Sequence, residues 1–267
     1  MNNYLDLLAK VVLEFSHESV IIPLLIIGYI WINRNVFFHG ICLVLISMIF
    51  NASLKATFQI PLNPSVGKEG FAFPSGHMQT SVVLYGFLYT FTQNRVLKFC
   101  LIALLIMIGA SLIYFGYHNL VDIIGAMIFA LSLIHLYKHI IINKAYLKHR
   151  YLFLAVMTFV SICLVYIKLI HIIPPHLWMP YYALFGLLIT QGYFNYRGLI
   201  SAQTRTDKII ASIFCFAYLF LINAIFSVKS EVILLMSPLR WFFTGVSIPF
   251  SVFISSLICN RARNVKN

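Results

Sequence analysis

The chain has 267 residues, of which 61% are hydrophobic and 10% are charged, and its formal net charge is +12. Soluble globular proteins carry about 25% charged residues, so this composition excludes a water-soluble fold and indicates that lipid surrounds most of the chain. The basic excess does not favour nucleic-acid binding, because the lysines and arginines are spread over loops between apolar stretches and form no continuous patch.

The first residues predict a short amphipathic helix. Leu5, Leu8, Val12 and Phe15 recur at helical spacing and share one face, with charged residues elsewhere. We expect residues 1–15 to form an interfacial helix that lies on the membrane surface.

Nine apolar stretches follow, and each is about long enough to cross a bilayer as a helix. They cover residues 16–33, 36–54, 77–92, 99–117, 119–137, 151–173, 178–196, 209–228 and 241–260. The five cysteines all lie inside these stretches and are predicted to be packing residues. We therefore predict an all-α, polytopic transmembrane helical bundle that forms a single membrane domain with about nine spans. Within it we distinguish catalytic-core spans 1–5 (16–138), a basic loop (139–149), spans 6–9 (150–260) and a tail (261–267).

The basic residues predict how the helices are oriented. Thirteen of the 19 lysines and arginines fall in the loops after odd-numbered spans or in the C-terminal tail: Arg34, Arg95, Lys98, Lys138, Lys144, Lys148, Arg150, Arg197, Arg205, Lys208, Arg261, Arg263 and Lys266. Because such residues concentrate on the cytoplasmic side, we expect a multi-pass inner or plasma membrane protein with a cytoplasmic C-terminus and an N-terminus outside.

The start of the third span predicts an anion site. It reads Pro74-Ser75-Gly76-His77, and Pro74 suits the first turn of a helix. We expect the backbone N–H groups of Ser75, Gly76 and His77 to point outward and attract an anion. His77 is then placed as a proton donor, and Lys55, the first residue of the loop after the second span, is a second cationic candidate.

The junction of the fourth and fifth spans predicts a nucleophile. His118 and Asp122 are four residues apart, which indicates a shared face of the fifth helix. The carboxylate would hold one imidazole nitrogen and leave the other to attack. Ser111 would share the inner face of the fourth helix if that helix runs on. A metal site is the alternative for two histidines and one aspartate, but Lys55 and the helix end suit phosphate better.

These motifs resemble the type 2 phosphatidic acid phosphatase superfamily over about residues 36–138, and the nine-span layout is similar to that of glucose-6-phosphatase. The resemblance implies a phosphatase that needs neither metal nor cofactor and works through a phosphohistidine on His118. It also implies that Asp122 orients His118 and that His77 protonates the leaving oxygen. The residues implied to hold the phosphoryl oxygens are Lys55, Ser75, Gly76 and Ser111.

The sequence departs from the family pattern at two arginine positions, which carry Leu62 and Leu112. Lys68, Lys168 and Arg240 are candidate substitutes on the predicted outer side.

We expect hydrolysis of a membrane lipid phosphate or diphosphate at the outer leaflet, where the active site would lie. Polyprenyl diphosphate, phosphatidylglycerol phosphate, phosphatidic acid and lipid A phosphate are candidate substrates. The alternatives are a lipid phosphotransferase on the same fold and a non-catalytic lipid-phosphate binder or transporter. The bilayer and the lipid substrate are the only partners that the sequence indicates, and protein partners stay unknown.

Overall fold

The computed structural model describes residues 3–62, 70–142, 149–199, 203–226 and 237–264. Within these ranges the chain is helical and contains no strand, and its one extended pairing is an isolated antiparallel bridge between Pro61 and Phe71. The helices are α1 (Asn3–Glu14), α2 (Glu18–Ile27), α3 (Arg34–Phe58), α4 (Gly76–Ser81), α5 (Phe87–Phe91), α6 (Arg95–Tyr114), α7 (Leu120–Tyr137), α8 (His149–Ile170), α9 (Trp178–Arg197), α10 (Arg205–Phe226) and α11 (Ser237–Asn264). π-Helical turns extend α2, join α4 to α5 and extend α7, and a 3₁₀ turn precedes α9. The predicted all-α class is confirmed.

Among the described residues, six helices are long and apolar enough to cross a membrane: Arg34–Phe58, Arg95–Tyr114, Leu120–Ile142, Tyr151–Ile170, Arg205–Phe226 and Ser237–Cys259. A seventh is added if Tyr4–Glu14 and Glu18–Ile32, which meet at 47°, form one broken span. These helices fit an integral membrane protein, but the predicted nine-span layout is not confirmed. The α4–α5 stretch is shorter than a full span, and α9 carries polar residues such as Gln191 and Asn195 that lower its hydropathy.

The chain divides into two compact units, and the first comprises Met1–Leu25, Asn35–Ala145 and Val160–Ile173. In this unit α1 lies along α6, where the Tyr114 hydroxyl donates to Asp6 Oδ1 over 2.7 Å. The stretch from α4 to α5 packs against α7, and Cys42, Leu43 and Ile49 of α3 are fully buried. This unit holds every residue of the two predicted motifs.

The second unit comprises Ile26–Arg34, Tyr146–Phe159 and Pro174–Asn267. Its main contact is between α9 and α11, which approach so closely that a Cβ atom on Gly245 would lie 1.9 Å from the carbonyl oxygen of Ala183. Only glycine permits that approach, as in small-residue contacts of membrane helices. The predicted domain boundaries along the chain stay predictions.

Candidate active site

The Pro74-Ser75-Gly76-His77 segment is a capped helix start. Ser75 is the N-cap of α4, and its Oγ accepts a hydrogen bond from the Met78 backbone N–H over 3.4 Å. The Ser75 N–H donates to the carbonyl oxygen of Asp122 over 3.2 Å. The sequence interpretation was therefore wrong in two details, because Pro74 precedes the cap instead of entering the first turn, and the Ser75 N–H already has a partner.

Gly76 follows at a close approach between helices. A Cβ atom at this position would lie 3.3 Å from Oδ1 of Asn51. The Nδ2 atom of Asn51 donates to the Pro74 carbonyl oxygen over 3.2 Å and to Oε1 of Gln79 over 2.9 Å. Gln79 Nε2 in turn donates to Ser47 Oγ over 3.3 Å. This buried polar network fixes the start of α4 against α3, as satisfied polar groups inside a membrane protein do.

A tight turn separates α6 from α7. The N–H of Gly116 donates to the carbonyl oxygen of Ile113 over 2.9 Å, and that of Tyr117 donates to the carbonyl oxygen of Leu112 over 3.0 Å. Gly116 has a φ of +68°, so the turn is a Schellman motif that needs glycine at its left-handed position. The helix does not run on to His118, because α6 ends at Tyr114, so the condition for Ser111 to share a helical face with His118 is not met.

His118 and Asp122 meet at the start of α7. Nδ1 of His118 lies 3.3 Å from Oδ2 of Asp122, and the two side chains are 8% and 3% exposed. Asn119 caps the helix in a capping box, since its Oδ1 accepts from the Asp122 N–H over 2.8 Å while Asp122 Oδ2 accepts from the Asn119 N–H over 3.0 Å. The contact expected from the sequence is present, but His118 lies before the helix and shares no helical face with Asp122.

Lys55 brings a positive charge to this pair. It lies in the last turn of α3, and its Nζ donates to the carbonyl oxygen of Phe71. Burial lowers the pKa of His118 below its ordinary 6.5, and the nearby charge of Lys55 lowers it further, while the Asp122 carboxylate raises it. The neutral imidazole is therefore favoured, which is the form that can act as a nucleophile.

Phe73 packs the segment before Ser75 against α7. Its ring lies so close to Gly125 that a Cβ atom there would come within 2.2 Å of Phe73 Cε2. Gly125 is one turn beyond Asp122. The contact therefore holds the segment before Ser75 against the same helix end that carries the carboxylate.

The structure also shows the surroundings of two other predicted site residues, Ser111 and His77. Ser111 is buried in the last turn of α6, and its hydroxyl donates to the Met107 carbonyl oxygen of the same helix over 2.8 Å. His77 is exposed in the first turn of α4, and its ring centroid lies 5.1 Å from that of His17.

The candidates for the missing arginines are not brought to the site by any described contact. Lys68 lies outside the described residues, and Lys168 is exposed near the end of α8. Arg240 belongs to the second unit, where its guanidinium donates to Asn223 and lies 4.7 Å from the centre of the Trp241 ring. Leu112 itself is 2% exposed, so its side chain is enclosed by protein.

Two histidines near the site were missed from the sequence. His17 contacts His77, and His171 has its ring centroid 5.6 Å from that of Phe71, whose carbonyl oxygen binds Lys55. Both lie in segments far along the chain from the motifs, so no local pattern marks them. Within the described residues no group of three or more histidine, cysteine or acidic side chains is arranged to hold a metal ion.

Residues 39–146 match the family model described as the PAP2 superfamily. No curated protein and no solved structure matches the chain. The matched range includes both motifs and Lys55, and the family predicted from them is confirmed.

Proposed function

Residues 39–146 belong to the PAP2 superfamily, and we propose that this domain hydrolyses the phosphate ester or diphosphate of a membrane lipid. The superfamily supports a phosphatase-type activity. The lipid substrate is our inference from the candidate site, which lies at the ends of apolar helices where a phosphate headgroup would meet them.

One observation carries the proposal, namely the contact between His118 Nδ1 and Asp122 Oδ2 at 3.3 Å. A carboxylate at Nδ1 favours the tautomer with the proton on that nitrogen and leaves Nε2 with its lone pair. The lowered pKa of His118 favours the same neutral form. Lys55 adds the positive charge that a phosphoryl group requires.

The reaction has two steps. Nε2 of His118 attacks phosphorus, and the bond from phosphorus to the leaving oxygen breaks as that oxygen takes a proton from His77. A water molecule then gives a proton to His77 and attacks the phosphohistidine, so that the P–N bond breaks and inorganic phosphate leaves. Both histidines return to their starting protonation states, and Asp122 stabilises the positive charge that develops on His118 in each step.

The phosphoryl oxygens would be held by Lys55 and by the polar groups of Ser75, Gly76 and Ser111. The Ser111 hydroxyl donates to Met107 in this structure, so binding requires that hydroxyl to rotate. Each missing arginine removes a hydrogen bond to a charged group, which contributes about 1.5–3 kcal/mol. We expect turnover to be correspondingly slow.

A panel of lipid phosphates and diphosphates tests the activity. Purified protein in detergent should release phosphate, with and without a chelator, and His118→Ala should abolish release while Asp122→Asn lowers it. His139→Ala is a matched control, because His139 is an exposed histidine at the other end of the α7 segment. Full activity of His118→Ala would contradict the phosphohistidine step, and activity lost to chelator and restored by a divalent ion would favour a metal-dependent reaction instead.

The buried side chain of Leu112 favours a second candidate function, a lipid-phosphate binder without turnover. An enclosed leucine where the family carries a phosphate-binding arginine offers no charge to stabilise the transition state. Vanadate or phosphate binding without release of phosphate from any member of the panel would support this reading against the phosphatase.

The outer-leaflet location rests on the distribution of basic residues. In a Cys100→Ser background, which removes the one exposed cysteine among the five, Lys68→Cys should react with an impermeant thiol reagent in intact cells and Lys144→Cys should not. The reverse pattern would place the site on the cytoplasmic face.

A further inference from the structure

A second imidazole lies against the one that is proposed to protonate the leaving group. His17 occupies the turn between α1 and α2, and its ring centroid is 5.1 Å from that of His77, with 48° between the ring planes. Both side chains are exposed. His17 precedes the range that matches the family, so the motifs assign it no role.

The fold holds His17 in this place by contacts on both sides of it. The carbonyl oxygen of Phe15 accepts a hydrogen bond from the Tyr85 hydroxyl over 2.7 Å, which ties the turn to the helical stretch that contains His77. The N–H of His17 donates to the Glu14 carbonyl oxygen over 3.0 Å, and its own carbonyl oxygen accepts from Val20 and Ile21. The backbone of the turn that carries His17 is therefore held by α1, by α2 and by the π-helical turn after α4.

We propose that His17 is a positioning residue for His77 on the leaving-group side of the site. The inference rests on the proposed phosphatase function. An imidazole that donates a proton works only in the rotamer that aims it at the leaving oxygen. The contact with the His17 ring favours one orientation of His77 before the substrate arrives, so less ordering is needed in the transition state.

The effect of removing His17 on the rate of ester cleavage depends on the leaving group. An alkoxide is a strong base and needs a proton as the bond to phosphorus breaks, whereas a 4-nitrophenolate leaves without one. Loss of His17 should therefore slow the alkyl substrate selectively. A general effect on folding or on phosphate binding would slow both substrates equally.

The test compares two phosphate monoesters that carry the same hydrocarbon tail, one with an alkyl and one with a 4-nitrophenyl leaving group. Both esters share the hydrolysis of the phosphohistidine, so the test uses kcat/KM, which covers the steps up to departure of the leaving group. His17→Ala should lower kcat/KM for the alkyl ester by about 10- to 100-fold, the range expected for a misplaced catalytic group, and should hardly change kcat/KM for the nitrophenyl ester. His17→Phe keeps a ring at this position and should retain most of the alkyl rate. The double variant His17→Ala/His77→Ala should be no slower than His77→Ala alone, because His17 acts through His77.

His139→Ala is the matched control, since it removes another exposed histidine that contacts a histidine ring, with centroids 6.4 Å apart. It should leave both rates unchanged. If wild-type protein is active and His17→Ala affects the two esters equally, or if His17→Phe is as slow as His17→Ala, the role of His17 is overturned and the phosphatase function stands. If wild-type protein hydrolyses neither ester nor any lipid of the panel, the proposed function fails and the role of His17 fails with it.

Discussion

The Asp122→Asn variant tests the central contact of the site. Asp122 Oδ2 faces His118 Nδ1 at 3.3 Å and accepts the Asn119 N–H at 3.0 Å. The amide oxygen of asparagine can keep one of these bonds, but the negative charge beside the imidazole is lost. A hydrogen bond to a charged group contributes about 1.5–3 kcal/mol, which corresponds to about a 10- to 150-fold loss of kcat. Because 3.3 Å is long for an N–H···O bond, the effect reaches the upper end of this range only if the contact tightens when substrate binds.

The same change affects stability much less. A carboxylate in the first turn of a helix contributes about 0.3–1 kcal/mol, so Asp122→Asn should lower the melting temperature in detergent only slightly. Asn119→Ala is the matched variant, because it removes the other half of the capping box, at a cost of about 1 kcal/mol, and keeps the charge. Phosphate release and thermal unfolding should be measured for both. A rate for Asp122→Asn equal to that of the wild type, or a larger rate loss for Asn119→Ala, would refute the view that the carboxylate acts on His118.

Three further predictions concern pH, the missing arginines and helix packing. Burial and a nearby lysine lower the pKa of His118, so its neutral form should persist below pH 6.5. The acidic limb of the profile of kcat/KM against pH should therefore lie below that value. The contribution of His118 to the free energy of unfolding is fully present above pH 6.5 and is lost as pH falls through the pKa of the folded protein. Leu112→Arg should destabilise the protein by several kcal/mol, since it places a guanidinium at a 2% exposed position. Leu62→Arg, at a partly exposed position, should be tolerated and should raise the affinity for phosphate. Equal thermal stability of the two variants would contradict this. Gly125→Ala should lower activity and reduce the free energy of unfolding by about 1–3 kcal/mol, because the new methyl group meets the Phe73 ring at 2.2 Å. Gly192 has open space around it, so Gly192→Ala should leave the melting temperature unchanged or raise it.

The sequence predicted which two side chains of the candidate site meet, His118 and Asp122, better than it predicted the local geometry around them. The spacing of His118 and Asp122 predicts their contact correctly but predicts a shared helical face, which is wrong because His118 lies before α7. Gly116 and Asn119 carried the contrary signals, a C-terminal glycine and an N-terminal cap, and together they place His118 outside both helices. The contact arises because Asp122 reaches back from the first turn.

Other features could not be read from local patterns. The contact of His17 with His77 depends on how the first two helices fold back on the rest of the unit. The nine-span count is not confirmed where apolarity is weakest among the described residues. The α9 helix is long enough but carries several polar residues, and the helix that contains His77 is short. Hydropathy ranks segments by composition and does not register whether a polar side chain such as Gln191 is satisfied inside the protein, as it is by Tyr29 and Asn195.

The network around Asn51 sets the register of α3 as well as the place of α4. Asn51 and Lys55 are four residues apart on one helix, so they share a face, and the bond from Asn51 to the Pro74 carbonyl oxygen fixes that face toward the site. One residue inserted between them would turn Lys55 by about 100° and move it by about 1.5 Å along the axis. The number of residues between Asn51 and Lys55 is thus constrained by the site. Substitutions within the turn are open to selection, but an insertion or deletion there would separate the lysine from the histidine whose protonation it opposes.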